Sequence, residues 1–116
     1  MKIVKIGEQK EVDDSANPIF RGKVTRREII PGGEKQTRIS EINFSPGARN
    51  ILHTHSFDQV LYVTAGKGIL ADEKTETVVT PGTIVLIPAG EKHWHGATRD
   101  SAFTHIAIMP PGQTKF

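Results

Sequence analysis

The chain has 116 residues and a mass of 12.7 kDa, enough for one compact core and too little for two. Its 15 Lys and Arg against 13 Asp and Glu leave a formal net charge of +2, with both signs mixed along the chain, so the basic pI carries no stripe suited to nucleic acid. With 36% hydrophobic residues, 24% charged residues and no Cys, the composition excludes intrinsic disorder, disulfides, thiolate metal sites and a Cys nucleophile, and no apolar run is long enough for a membrane span.

The first residues, Met1-Lys2-Ile3-Val4-Lys5, lack the apolar core of a signal peptide, which predicts a cytoplasmic protein that does not engage membranes. Eleven Gly and seven Pro then punctuate the chain, and no window keeps apolar residues at helical spacing for more than about one turn. Strands are expected near Ile3 to Ile6, Lys23 to Ile30, Arg38 to Phe44, Arg49 to His55, Gln59 to Thr64, Gly68 to Asp72, Thr75 to Val79, Thr83 to Ile87, His93 to His95 and Phe103 to Met109. Turn signals separate them, among them Pro31-Gly32-Gly33, Pro46-Gly47, Pro81-Gly82 and Pro88-Ala89-Gly90. The polar stretch Lys10 to Pro18 reads as a loop or arm, and Pro110 to Phe116 as a frayed tail. Many short strands with frequent turns predict an all-β sandwich or small barrel over residues 1–116, with room for a ligand between its sheets.

All five His fall between His53 and His105, and four of them form His53-Thr54-His55 and His93-Trp94-His95. Side chains two apart on a strand share a face, so each pair can present two imidazoles to one cavity, an arrangement suited to a divalent metal. A neighbouring His93 would add a third nitrogen to His53 and His55, and Gln59 a carbonyl oxygen. A single His-x-His is also a common exposed strand pair, and spacing alone does not separate the two.

Larger motifs do. Gly47, His53, His55, Gln59 and Gly66 keep every spacing of the first cupin motif, with Gln where that motif has Glu. Gly82, Pro88, Gly90 and His93 keep the second, with Ala97 in place of Asn. The chain therefore resembles the cupins, and the resemblance implies a jelly-roll β-barrel holding a metal on His53, His55, Gln59 and His93. Replacing the anionic Glu by Gln59 leaves the metal its full charge, favouring Lewis-acid chemistry, and the set differs from the two-His-one-carboxylate triad of many iron oxygenases.

A closer likeness lies in Pro46-Gly47-Ala48-Arg49, in Glu91-Lys92-His93-Trp94-His95-Gly96-Ala97 and in Thr104-His105-Ile106-Ala107-Ile108, which look like segments of the manganese-dependent cupin-type hydroxynitrile lyases. That likeness implies that His95 and His105 line the cavity as proton-handling groups, whereas Met109 replaces the Gln those lyases carry near the substrate. The residue pattern itself leaves open whether His95 faces the cavity or braces the barrel mouth. It also leaves open whether His105 with Phe103, Ala107 and Met109, or Thr104 with Ile106 and Ile108, points inward. Trp94 should face away from the His pair, and Asp58 and Glu91 read as solvated loop charges.

The expected function is a metal-dependent lyase or isomerase of a small organic molecule. A metal-dependent dioxygenase and a non-catalytic ligand-binding barrel are the alternatives. The resemblance implies manganese first, and the same ligands accept Fe, Ni, Zn, Co or Cu. A small-molecule substrate is expected, with no nucleic-acid partner, and the edges of so small a barrel predict a homodimer.

Overall fold

The computed structural model describes residues 1–116. A short 3₁₀ turn, Ile6–Glu8, is followed by thirteen strands: β1 (Val12–Asp13), β2 (Phe20–Arg21), β3 (Val24–Ile30), β4 (Arg38–Phe44), β5 (Arg49–Asn50), β6 (Thr54–His55), β7 (Gln59–Gly66), β8 (Gly68–Ala71), β9 (Glu76–Val79), β10 (Ile84–Ile87), β11 (Trp94–Ala97), β12 (Phe103–Met109) and β13 (Thr114–Lys115). They form a six-stranded sheet in the order β1-β3-β4-β12-β7-β10, a five-stranded sheet in the order β2-β5-β11-β8-β9, and the small pair β13-β6. Every pairing is antiparallel. The expected all-β jelly roll is what forms. No helix is long and apolar enough to cross a membrane.

Several local expectations are corrected. Ile3 to Ile6 make no strand, and the arm at Lys10 to Pro18 instead supplies β1, whose Val12 and Asp13 pair with Arg26 and Thr25. The single strand expected over Arg49 to His55 is two, β5 and β6. The tail is not frayed, because β13 pairs with β6 and sets Thr114 opposite His55. Sequence periodicity misses β2 and β13 because two residues are too few to show a period.

The six-stranded sheet places chemistry through its register. Along its inner face one row of cross-strand neighbours is Val24, Phe44 and Phe103, and the next is Arg26, Ile42 and His105. Then come Glu28, Ser40 and Ala107, followed by Arg38 beside Met109. The first row belongs to a core of nine buried residues that also includes Phe20, Ala48, Val63, Val79 and Ala97. Phe44 and Phe103 are stacked there at 5.9 Å, and burying each ring contributes about 2–3 kcal/mol. One end of the barrel is thus plugged with hydrocarbon, and polarity rises row by row away from it. A smaller cluster of Leu61, Ile87 and Ala107 lies on β7, β10 and β12 of the same sheet.

Gly66 shows how tightly the end of β7 meets the start of β12. Its φ of +74° favours glycine, and a Cβ there would collide with the carbonyl of Ala102.

Candidate metal centre

His53 and His93 face each other across an isolated antiparallel bridge whose two backbone hydrogen bonds, His53 N to His93 O and His93 N to His53 O, are each 3.0 Å long. This contact joins the two His-x-His segments. His55 follows on β6, and Gln59 begins β7 with its side chain inward. His53, His55, Gln59 and His93 are all buried, between 3% and 7% exposed. One imidazole nitrogen from each of His53, His55 and His93 lies within 4.8 Å of the other two.

The outer hydrogen bonds decide which nitrogens are available. His53 Nδ1 donates to the Ile51 carbonyl at 2.6 Å, and His93 Nδ1 donates to the Glu91 carbonyl at 2.8 Å. His55 Nδ1 is 2.8 Å from the Thr114 hydroxyl. Each ring is therefore held by Nδ1 with Nε2 directed at the centre. Buried and without hydrogen-bond partners are His55 Nε2, His93 Nε2 and Gln59 Oε1 at the centre, and His105 Nδ1 behind it. Native proteins leave few buried polar atoms unpaired, and lone pairs converging from three imidazoles and an amide fit a first-row divalent cation. The residues present thus suit the metal that the fold implies.

Burial pushes the pKa values of His53 and His55 down to about 4 each, and burial lowers that of His93 too. Neutral imidazole is the form that ligates.

Behind this cluster lies a second histidine pair. His95 on β11 and His105 on β12 are 3% and 0% exposed, and both turn into the cavity. His105 Nε2 is 3.1 Å from His95 Nδ1, so one proton is shared between the facing nitrogens. Asn50 holds His95 at both ends: its amide nitrogen is 3.2 Å from His95 Nε2, and its Oδ1 accepts the His95 backbone N–H at 2.8 Å. Burial holds His95 well below its ordinary pKa, reinforced by the neighbouring histidines, and burial holds His105 at about 3, with Arg26 adding to the effect. The His95 ring lies 5.9 Å from that of His53 and 5.8 Å from that of His93.

A cavity of about 390 Å³ joins these groups. His53, His55, Gln59, His95 and His105 line it, with Met109, Phe116, Arg26 and Arg38 among the other walls. His93 lines a separate hollow of about 150 Å³. Gln59 Nε2 donates to Met109 Sδ at 3.4 Å, which turns Oε1 toward the histidines. Glu28 sits inside the barrel wall. Burial would raise its pKa, but hydrogen bonds from Arg38, Arg26 and Ser40 outweigh that and hold it at about 2.

Five of the six residues named from the sequence therefore line one cavity, and the sixth, His93, packs its ring 4.2 Å from that of His53. The two open orientations resolve inward, for His95 and for the face bearing His105. Trp94 faces away, under the guanidinium of Arg49 at 3.5 Å, and Asp58 accepts a loop N–H from Ala89 at 2.9 Å. Glu91 contributes through its carbonyl alone. Sequence reasoning misses Asn50, Thr114 and the Arg26-Glu28-Arg38 wall. Charges two apart on a strand, as in Arg26 and Glu28, are the signal that could have found the wall. Thr114 lies far from His55 in the chain and carries no such signal.

Residues 40–112 match the family model described as the cupin domain. Over 71 residues, or 60% of the chain, the sequence is 46% identical to (R)-mandelonitrile lyase of Granulicella tundricola, and the match spans 54% of that relative, about half its length. A cupin-like protein from Thermotoga maritima superposes with a TM-score of 0.81 at 28% identity, over 100% of this chain and 88% of that one. The polyketide cyclase RemF from Streptomyces resistomycificus has the same fold, with a TM-score of 0.84 at 23% identity over 99% of this chain and 84% of that one.

Proposed function

The chain belongs to the cupin family, and on that premise we propose that it is a metal-dependent lyase or isomerase of small organic molecules, of the hydroxynitrile-lyase type, with His53, His55, Gln59 and His93 as metal ligands and manganese as the native ion. The observation that carries this reading is the set of Nε2 and Oε1 atoms that converge, buried and unpaired, beside a second histidine pair. A divalent ion bound there would supply a Lewis acid without a carboxylate to dilute its charge.

For a hydroxynitrile, cleavage breaks the bond between the carbinol carbon and the nitrile, giving an aldehyde and hydrogen cyanide. The hydroxyl loses its proton, and the leaving cyanide gains one. The hydrogen-bonded pair of His95 and His105 stands beside the cavity, placed to take the hydroxyl proton at one ring nitrogen and return a proton from another. Asn50 keeps the His95 ring from turning away. The hydrocarbon plug behind Phe44 excludes water from the far end.

The experiment is the metal content of tag-free protein, beside a double variant His53→Ala, His55→Ala, with mandelonitrile cleavage measured on both. One manganese per chain, lost in the variant together with turnover, is the expected result. Iron accompanied by substrate-dependent oxygen uptake would replace the lyase by the dioxygenase. No metal after reconstitution would leave a ligand-binding barrel.

The reading also includes a homodimer. Tyr62, Ile84 and Leu86 are exposed on the outer face of β7 and β10, with Ile84 opposite Tyr62. Sedimentation at micromolar concentration should give twice the chain mass, and a monomer would refute the pairing.

A further inference from the structure

Three imidazoles converge on the centre, but their outer anchors differ in kind. His53 and His93 each give Nδ1–H to a backbone carbonyl, which can only accept, so their Nε2 atoms are bound to be free of hydrogen. The partner of His55 is the Thr114 hydroxyl, which can accept or donate. Only when Thr114 accepts does His55 carry its proton on Nδ1 and offer Nε2 to the centre. The opposite arrangement puts the hydrogen on Nε2 and spoils the site.

Thr114 also rides on a separate element. Strand β13 extends neither main sheet and pairs only with β6, the strand that carries His55. Its backbone is tied by Ser56 N to Gln113 O at 2.9 Å, and Gln113 N donates to Ser56 Oγ at 2.8 Å. Gly112 lets it lie flat on Phe57, since a Cβ there would collide with the Phe57 ring. That ring in turn stacks on His55 at 4.9 Å, with 16° between the planes. The residues of β13 are solvent-exposed on their far side, so little besides these contacts holds the strand down.

We propose that Thr114 is the positioning residue for His55, and that docking of β13 and readiness of His55 to bind a metal are one coupled equilibrium. Thr114, docked, gives the Nδ1–H tautomer its acceptor and fixes the ring plane. A metal on Nε2 forbids the other tautomer and so holds Thr114 as acceptor and β13 in place. Linkage requires the two effects to be equal. The affinity part of this inference rests on the metal reading above, whereas the tautomer part does not.

The test compares wild type, Thr114→Val, Thr114→Ser and Gly112→Ala. The first measurement is the imidazole tautomer in metal-free protein, by long-range proton–nitrogen NMR. Wild type and Thr114→Ser should show His55 with hydrogen on Nδ1, while Thr114→Val and Gly112→Ala show a mixture, with His53 and His93 unchanged in all four. The second is Mn(II) affinity by chelator competition. It should fall about tenfold or more in Thr114→Val and Gly112→Ala, the scale expected for losing an outer partner of a ligating histidine, and stay within about twofold in Thr114→Ser. Mn(II) should also slow hydrogen exchange at the Ser56 amide in wild type. An unchanged His55 tautomer in a folded Thr114→Val, or in Gly112→Ala should Thr114→Val not fold, overturns the proposal, as does Mn(II) affinity equal to wild type. If wild type takes up no Mn(II), the metal reading fails, and the tautomer comparison still decides the role of Thr114.

Discussion

His105 Nε2 and His95 Nδ1 stand 3.1 Å apart, both sealed from solvent, with the Asn50 amide nitrogen 3.2 Å from His95 Nε2. A pair that shares one proton next to a cavity can pass it on without either ring becoming charged for long.

Replacing His95 by Ala should therefore lower kcat for hydroxynitrile cleavage by about 100-fold or more while metal content stays at the wild-type value. Steady-state kinetics alongside elemental analysis separates the two quantities. Wild-type turnover in His95→Ala would remove the pair from the chemistry.

Gln59→Glu restores the anionic ligand of the family motif. A full negative charge beside a dication should tighten Mn(II) binding about tenfold or more, while hydroxynitrile turnover falls because the ion becomes a weaker Lewis acid. Chelator competition and kcat should move in opposite directions, and a parallel loss of both would show that the Met109 contact of Gln59 matters more than its charge.

Acid should unfold the metal-free protein through its histidines. His53 and His55 titrate near 4 and His105 near 3 when folded, against an ordinary value of 6.5. Between those values the unfolded chain binds protons that the folded chain refuses. The stability is thus fully present above pH 6.5 and is lost as pH falls, each of these rings costing about 1.4 kcal/mol per pH unit until its folded pKa is passed. Urea midpoints should be level above pH 7 and drop steeply from pH 6 to 4. A flat profile over that interval would contradict the burial of these rings in solution.

Gly66→Ala should be among the costliest single-methyl additions, lowering stability by about 3 kcal/mol or more, because the positive φ and the Ala102 carbonyl both oppose it. Thermal melting checks this. The same substitution at Gly47, where φ is +78° but no atom lies within 4 Å, should cost less.

The contrast between residues that sequence reveals and those it hides follows a physical line. The barrel and its cavity were legible because β-branched alternation and turn glycines are local signals, and the pairs His53 with His55 and His93 with His95 inherit a common face from strand geometry alone. Orientation of His105 was not legible, since both faces of Phe103–Met109 are largely apolar and the choice is made by β4 and β7 on either side. Asn50 and Thr114 were invisible for a different reason. Each acts through a contact 45 or 59 residues away in the chain, and such contacts leave no periodicity. The tail reads as frayed because its few polar residues resemble a loose end, while what docks them is the flat approach of Gly112 to Phe57.

The reciprocal backbone bridge between His53 and His93 bears on engineering as well as on chemistry. Main-chain hydrogen bonds set the spacing of these two proposed ligands, so the site is a socket whose dimensions belong to the backbone. Different first-row ions placed in it would meet the same nitrogens at the same separations. The barrel thereby becomes a chassis in which reactivity can be changed by exchanging the ion, leaving the sequence alone.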